Sequence, residues 1–200
     1  MCEADLFQNV IAVTNRHLCT RPFPEQIRRV CSRSPRAVIL REKDLPEEEY
    51  LRLTRQIVPI CRRSGVRLIL HSYPEAAVQA GIRRIHLPLA KLVEICGEPS
   101  GKREEFFRYF EETGCSVHSV KEAVLAEKLG ASYLTAGHIY PTDCKKGVPP
   151  RGIEFLKEVC ASVSVPVCAI GGIRPDPEQI REVLDAGASG ACIMSAMMRI

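Results

Sequence analysis

A histidine, a lysine pair and a glycine pair are the residues of this chain whose types and spacing suggest chemistry on a small anion. Gly137-His138 stands just ahead of Thr142-Asp143-Cys144-Lys145-Lys146-Gly147, with Arg151 beyond, and Gly171-Gly172 closes the apolar run Val165-Pro166-Val167-Cys168-Ala169-Ile170. Imidazole suits proton transfer near neutrality, because its unperturbed pKa is about 6.5. Consecutive glycines let backbone N–H groups approach an oxyanion, and the start of a helical turn adds further donors. Ser195, in Met194-Ser195-Ala196, offers a hydroxyl where a short helix is expected to open. A basic loop closing over a bound phosphate would exclude water and strengthen the contacts inside, with one of Lys145 and Lys146 on the ligand and the other in solvent. Each feature also has a plain reading: a tight turn, a solvated charge run, a structural histidine. What favours chemistry is their convergence, and that depends on the elements that carry them.

Eight short β-branched runs recur, at 10–14, 37–41, 66–70, 84–87, 115–118, 133–139, 165–170 and 190–194. Their nearly continuous apolar character suits strands covered on both faces. Helical patterns fill the intervals at 22–31, 46–63, 74–80, 103–112, 119–129, 153–161 and 177–186. Ser119-Val120-Lys121-Glu122 reads as a capping box, with the glutamate returning to the serine's own N–H. Asp176-Pro177 supplies a cap and a first-turn proline, and Gly130 and Gly187 stop the helices before them. Strands alternating with helices imply a parallel sheet. Eight such units in 200 residues predict a single-domain (β/α)₈ TIM barrel over residues 1–200, with little room for a second domain or long insertion. An open doubly wound sheet would show the same local alternation; the strand count favours closure. A closed barrel places its site at the carboxyl ends of the strands. That rim collects Arg41, Lys43, His71, His86, Ser116, His118, His138, the loop 142–152, Gly171, Gly172 and Ser195.

Composition narrows the function classes. A chain 46% hydrophobic and 26% charged has the balance of a globular protein able to bury a core. The net charge is only +4, arginine pairs such as Arg62-Arg63 sit on acid-flanked helices, and Trp is absent, so a nucleic-acid surface is not expected. No apolar run approaches the roughly 20 residues of a membrane span, and the start Met1-Cys2-Glu3-Ala4-Asp5 lacks the basic-then-apolar order of a signal peptide. A cytoplasmic location without membrane partners is expected. The cysteines at 2, 19, 31, 61, 96, 115, 144, 160, 168 and 192 form no C-x-x-C pair and no zinc spacing, so they read as free thiols with no metal site.

Four segments together resemble the thiamin phosphate synthase superfamily, along nearly the whole chain: Leu40-Arg41-Glu42-Lys43, Ser116-Val117-His118-Ser119, the run from Gly137 to Gly147, and Ala169-Ile170-Gly171-Gly172-Ile173. The resemblance implies the same barrel. Its synthase branch joins a pyrimidine diphosphate to a thiazole phosphate and carries Asn-Asp after strand three and a further aspartate after strand four to hold Mg²⁺. Here those positions read Leu70-His71-Ser72 and His86-Leu87-Pro88-Leu89-Ala90-Lys91. Magnesium wants carboxylate or phosphate oxygens, which these side chains do not supply. The thiazole tautomerase, or TenI-type, branch carries Gly-His where synthases have Gly-Pro, and Gly137-His138 with the run after it is similar to that branch.

By this likeness the substrate is a carboxylated, non-aromatic thiazole bearing an ethyl phosphate. A proton would move from the ring carbon carrying the carboxylate to the exocyclic alkene carbon, leaving the aromatic carboxythiazole phosphate. The resemblance makes His138 the proton carrier. Gly171, Gly172 and Ser195 would fix the phosphate, Lys145 would close over it, Arg41 would pair with the carboxylate or another polar group as a planar donor, and Lys43 would assist electrostatically. No cofactor is called for; Mg²⁺ enters only with the synthase alternative. His71, His86, His118 and Ser116 stay open between structural duty and ligand contact. A third alternative is a non-catalytic barrel that binds thiamin precursors as a regulator, and a homodimer is compatible with all three.

Overall fold

A computed structural model describes residues 3–97, 100–145 and 147–200. The first half runs α1 (Glu3–Gln8), β1 (Val10–Val13), α2 (Phe23–Cys31), β2 (Ala37–Leu40), α3 (Glu47–Arg63), β3 (Arg67–His71), α4 (Pro74–Gln79), β4 (Arg84–Pro88) and α5 (Leu89–Gly97). The second half runs α6 (Ser100–Tyr109), β5 (Glu112–Val117), α7 (Val120–Lys128), β6 (Tyr133–Gly137), α8 (Gly152–Ser162), β7 (Val167–Ile170), α9 (Pro177–Asp185) and β8 (Gly190–Ile193). Each strand pairs in parallel with the next, and β8 returns to β1 through Ile11 and Cys192, so the sheet closes. That last pairing rules out the open doubly wound alternative, and the architecture is a (β/α)₈ barrel.

The continuous apolar runs are explained by two separate cores. Alternate strand residues face outward and pack under the helices, as Val10, Ala12, Val38 and Leu40 do. The residues between them face the barrel axis, where Ile11, Val13, Ala37, Ile39, Ile69, Tyr133, Cys168 and Cys192 form a cluster of their own. Room for Tyr133 inside the barrel comes from its register partner Gly114, where a Cβ would lie 2.1 Å from a Tyr133 ring carbon.

Several boundaries differ from the sequence expectation for identifiable reasons. β5 opens at Glu112 rather than 115, because Thr113 and Gly114 already pair with Ile85 and His86; α6 accordingly ends at Tyr109. β7 opens at Val167 rather than 165, because the N–H groups of Ser164 and Val165 are taken by Glu127 Oε1 at 2.7 and 3.0 Å. The β6 ladder stops at Gly137, although Ile139 and Tyr140 still donate to Ile170 and Gly171 carbonyls. Helices α1 and α5 had no counterpart in the sequence pattern, being short (α1) or lacking a polar start signal (α5).

Caps behave largely as their residue types require. Asp176 accepts from the N–H groups of Glu178 and Gln179, with Pro177 opening α9. Ser119 caps α7 by accepting the Glu122 N–H at 3.1 Å. The reciprocal half of the expected capping box is displaced: Glu122 takes the N–H of His118 at 2.6 Å rather than that of Ser119. The segment from Met194 forms a turn closed by Met198 N–H on the Met194 carbonyl at 3.0 Å, not the helix expected at Ser195. A single turn has one such bond to offset the ordering of its residues, too little to propagate.

Replacing Gly114 by alanine forces the new methyl into the Tyr133 ring. We expect Gly114→Ala to lower unfolding free energy by about 2 kcal/mol, read as a shift of the urea midpoint; an unchanged midpoint would mean that Tyr133 packs elsewhere.

Candidate active site

The carboxyl ends of the strands surround a cavity of about 720 Å³. Arg41, Lys43, His71, His86, Ser116, His118, His138, Lys145, Gly171, Gly172 and Ser195 all line it. Barrel closure is what gathers residues so distant in sequence. Lys146 lies outside the described residues, so the expected division of labour between the two loop lysines is represented by Lys145 alone, which is exposed at the mouth.

The cationic side of the cavity is built by an arrangement of acids that turns away from it. Glu42 is buried behind the rim, where it accepts from Thr14 Oγ1 at 2.6 Å and from the Arg16 N–H and guanidinium at 3.1 and 3.2 Å. Thr14 Oγ1 in turn accepts the Arg41 N–H at 2.8 Å. Asp44 is taken up by Arg16 and, at 2.9 Å, by His17. Among the described residues, the side chains of Arg41, Lys43, Lys145 and Arg174 therefore have no carboxylate partner, although all four line the cavity. The Lys43 ammonium has its pKa lowered, first by partial desolvation and then by the positive charges of Arg41 and Lys145. Positive charges close enough to disfavour the Lys43 ammonium stabilise an incoming anion correspondingly well. Arg174 was not singled out from the sequence; its place two residues past the diglycine, in the loop after strand seven, was the available signal.

A further wall is the junction of β6 and β7, where backbones approach too closely for side chains. A Cβ on Gly137 would lie 2.2 Å from the Ile170 carbonyl oxygen, and one on Gly171 would lie 2.3 Å from the Cβ of His138. Gly171 and Gly172 have φ of 100° and 73°, a region that L side chains rarely enter. His138 is thereby seated against the diglycine corner. It is buried, its Nε2 lies 3.2 Å from the Val148 carbonyl oxygen, and its Nδ1 has no partner among the described residues. His118 lines the cavity too, but its Nδ1 donates to the Gly137 carbonyl at 2.8 Å, so it braces the same corner. Ser195 faces the cavity from the turn after β8.

The floor is polar yet uncharged. His86 Nδ1 meets the Tyr133 hydroxyl at 2.9 Å, while its Nε2 meets Ser116 Oγ at 2.8 Å and Thr135 Oγ1 at 3.3 Å. His71 Nδ1 meets Ser72 Oγ at 2.6 Å, and the two imidazole centroids are 5.6 Å apart. Burial is the main reason that both histidines are held neutral: the pKa falls to about 3 for His86 and about 2 for His71, helped by Lys43 and Arg41 and, for His71, by His86. The hydroxyl partners Tyr133 and Thr135 escaped the sequence reading because their roles depend on which face of β6 points inward.

This donor set does not fit magnesium. His71 and Ser72 present a nitrogen and a hydroxyl already bonded to each other, the nitrogens of His86 are taken by the Tyr133, Ser116 and Thr135 hydroxyls, and Lys91 projects from α5 into an ion pair with Glu94 at 2.8 Å. No group of three or more metal-binding side chains exists among the described residues. A hard divalent cation needs several oxygen ligands, and carboxylates foremost.

The profile of the thiamine monophosphate synthase (TMP-TENI) family matches residues 10–197. The chain belongs to that family. This family member is 32% identical to the thiamine-phosphate synthase of Pyrococcus horikoshii over 187 residues, covering 93% of this chain and 84% of that protein. It is 30% identical to thiamine-phosphate synthase 2 of Streptococcus pneumoniae over 189 residues, covering 94% and 86%. In structure it is similar to the thiamine phosphate pyrophosphorylase of Pyrococcus furiosus, with a TM-score of 0.78 and 28% identity over 98% of this chain and 89% of that one. The N-acetylmannosamine-6-phosphate 2-epimerase of Clostridium perfringens, at 16% identity and a TM-score of 0.67, shares the fold. No helix among the described residues is long and apolar enough to cross a membrane.

The two floor histidines make acid stability a test of the site. Their folded-state pKa values lie below the ordinary 6.5, so the unfolded chain binds more protons. Stability is intact above about pH 6.5 and is lost as pH falls toward the folded values, at up to about 1.4 kcal/mol per pH unit for each histidine. Urea midpoints at pH 7.5 and 5.5 should show this drop, and His86→Gln should reduce it; equal midpoints would mean that the floor is solvated.

Proposed function

We propose that this family member is a thiazole tautomerase acting on a carboxylated, non-aromatic thiazole bearing an ethyl phosphate. The observation that carries the reading is His138, a buried imidazole with a ring nitrogen lacking any partner among the described residues, seated against the diglycine corner of a cavity lined by Arg41, Lys43, Lys145 and Arg174, which have no carboxylate partner among those residues. In the reaction His138 takes the proton from the ring carbon that carries the carboxylate and returns it to the exocyclic alkene carbon. The double bond moves into the ring, and no atom is gained or lost. Aromatisation supplies the driving force, so the protein has only to carry the proton between two carbons.

The remaining groups divide by charge. Gly171, Gly172 and Ser195 bind the phosphate at the corner, and Lys145 covers it from the loop. Arg41 pairs with the substrate carboxylate, where its planar fork also steadies the negative charge that develops on deprotonation. Lys43 adds field at the mouth. The floor of His71, His86 and Ser116 meets the neutral ring, and neutral imidazoles there leave the phosphate and carboxylate to the cations. No step calls on a metal.

A second reading, thiamine-phosphate synthase activity, is favoured by the names of the relatives, which are called thiamine-phosphate synthases. It requires magnesium and a pyrimidine diphosphate at a floor whose donors are histidines and hydroxyls.

One set of assays separates the readings. With the exocyclic thiazole phosphate alone, the protein should accelerate aromatisation, and His138→Ala should lose at least roughly 10²-fold of that rate. Turnover that requires both magnesium and a pyrimidine diphosphate, and that survives His138→Ala, would support the synthase reading. Binding of the thiazole phosphate without either turnover would make the barrel a regulator.

A further inference from the structure

We infer that the Val148 carbonyl, in the basic loop, is the positioning group that makes Nδ1 of His138 the proton-carrying atom; the inference rests on the tautomerase reading for its chemistry but not for its geometry. A carbonyl oxygen only accepts, so the 3.2 Å contact with Nε2 requires that Nε2 hold the ring proton in neutral His138. The lone pair then falls on Nδ1, the nitrogen without a partner among the described residues. With the tautomers reversed, the Val148 carbonyl would face a lone pair and Nδ1–H would be a buried donor with nothing to receive it. An unsatisfied buried group of that kind is costly, so one contact selects the tautomer.

The same loop holds His138 from a second side. The Arg151 N–H donates to the His138 carbonyl at 2.9 Å, and the Gly152 N–H donates to that of Ile139 at 3.1 Å. The loop also closes on itself, with Val148 N–H on the Lys145 carbonyl at 3.0 Å. Lys145 and the Val148 carbonyl are thus two ends of one turn. When Lys145 engages the phosphate, the turn that fixes the imidazole is fixed with it, which ties ordering of the loop to readiness of the base.

Gly147 gives access to this device without touching the cavity. Its φ is 82°, and a Cβ there would meet nothing within 4 Å, so the first effect of a substitution is on backbone conformation. Valine strongly disfavours that region, whereas asparagine tolerates it. Valine should reorient the turn and carry the Val148 carbonyl away from Nε2; asparagine should leave it in place.

The test is nuclear magnetic resonance of ¹⁵N-histidine-labelled protein, with the His138 signals assigned from their absence in His138→Gln, run beside the isomerisation assay. With the imidazole in its neutral form, the wild type should show Nε2 protonated, its proton shielded from exchange with water, and Nδ1 unprotonated. Gly147→Val should lose that shielding and lower kcat on the order of fivefold to tenfold with KM within about twofold, the loss expected for one hydrogen bond. Gly147→Asn should restore both. A proton on Nδ1 in the wild type would overturn the inference. So would Gly147→Val protein in which the shielding persists while kcat falls, or is lost while kcat holds. Absence of isomerisation by the wild type would instead defeat the tautomerase reading, and the shielding of Nε2 in the two variants would still decide whether the loop holds the ring.

Discussion

The close approach of β6 and β7 at their carboxyl ends is the constraint from which the site follows. A side chain at Gly137 would collide with the Ile170 carbonyl, and one at Gly171 would collide with His138. Because neither position carries a Cβ, the two strand ends lie backbone against backbone, with Ile139 and Tyr140 donating across to Ile170 and Gly171. An imidazole and a pair of glycines separated by thirty-odd residues of sequence thereby become one corner. His118 completes it by donating to the Gly137 carbonyl from β5's end. On the proposed reading, a proton carrier and an anion cradle held by the same backbone contacts would need no separate device to align them, which is how positioning contributes to rate.

Around that corner the charges are sorted by depth. Carboxylates near the mouth are spent on other partners, Glu42 on Thr14 and Arg16, Asp44 on Arg16 and His17, Glu122 on the His118 N–H, while Asp143 also lines the wall. Arg41, Lys43, Lys145 and Arg174 are left to an incoming anion. Below them, burial keeps His71 and His86 uncharged, and Tyr133, Ser116 and Thr135 occupy the nitrogens of His86. A ligand with negative groups at its ends and a neutral ring between them matches that order. The second reading would place a magnesium-bound diphosphate above nitrogen and hydroxyl donors, where oxygen anions suit the cation better.

Much of the frame was legible in the sequence because it depends on local pattern. Continuous apolar runs mark strands covered on both faces, and the sequence alone places the diglycine, Gly137-His138 and Arg41 at strand ends. The parts that were not legible depend on register and on three-dimensional neighbours. Tyr133 reads as an apolar strand residue until its pairing with Gly114 turns it into the barrel axis, where its hydroxyl reaches His86. Glu122 has the spacing of a capping box, yet its carboxylate reaches one residue further back, to His118, because that residue enters the helix from the strand end. The neutrality of the floor histidines belongs to their burial, which no single-sequence pattern encodes. Helix α5 was missed because Leu89-Ala90-Lys91-Leu92 follows the strand without a polar start signal.

The central claim is that His138 and the diglycine corner serve one bound molecule. A crystal structure of the protein with the carboxythiazole ethyl phosphate tests it directly. The account predicts phosphate oxygens within about 3 Å of the Gly171-Gly172 backbone and Ser195 Oγ, the carboxylate on Arg41, and Nδ1 of His138 facing the thiazole. A phosphate held elsewhere, or a thiazole out of reach of His138, would contradict it.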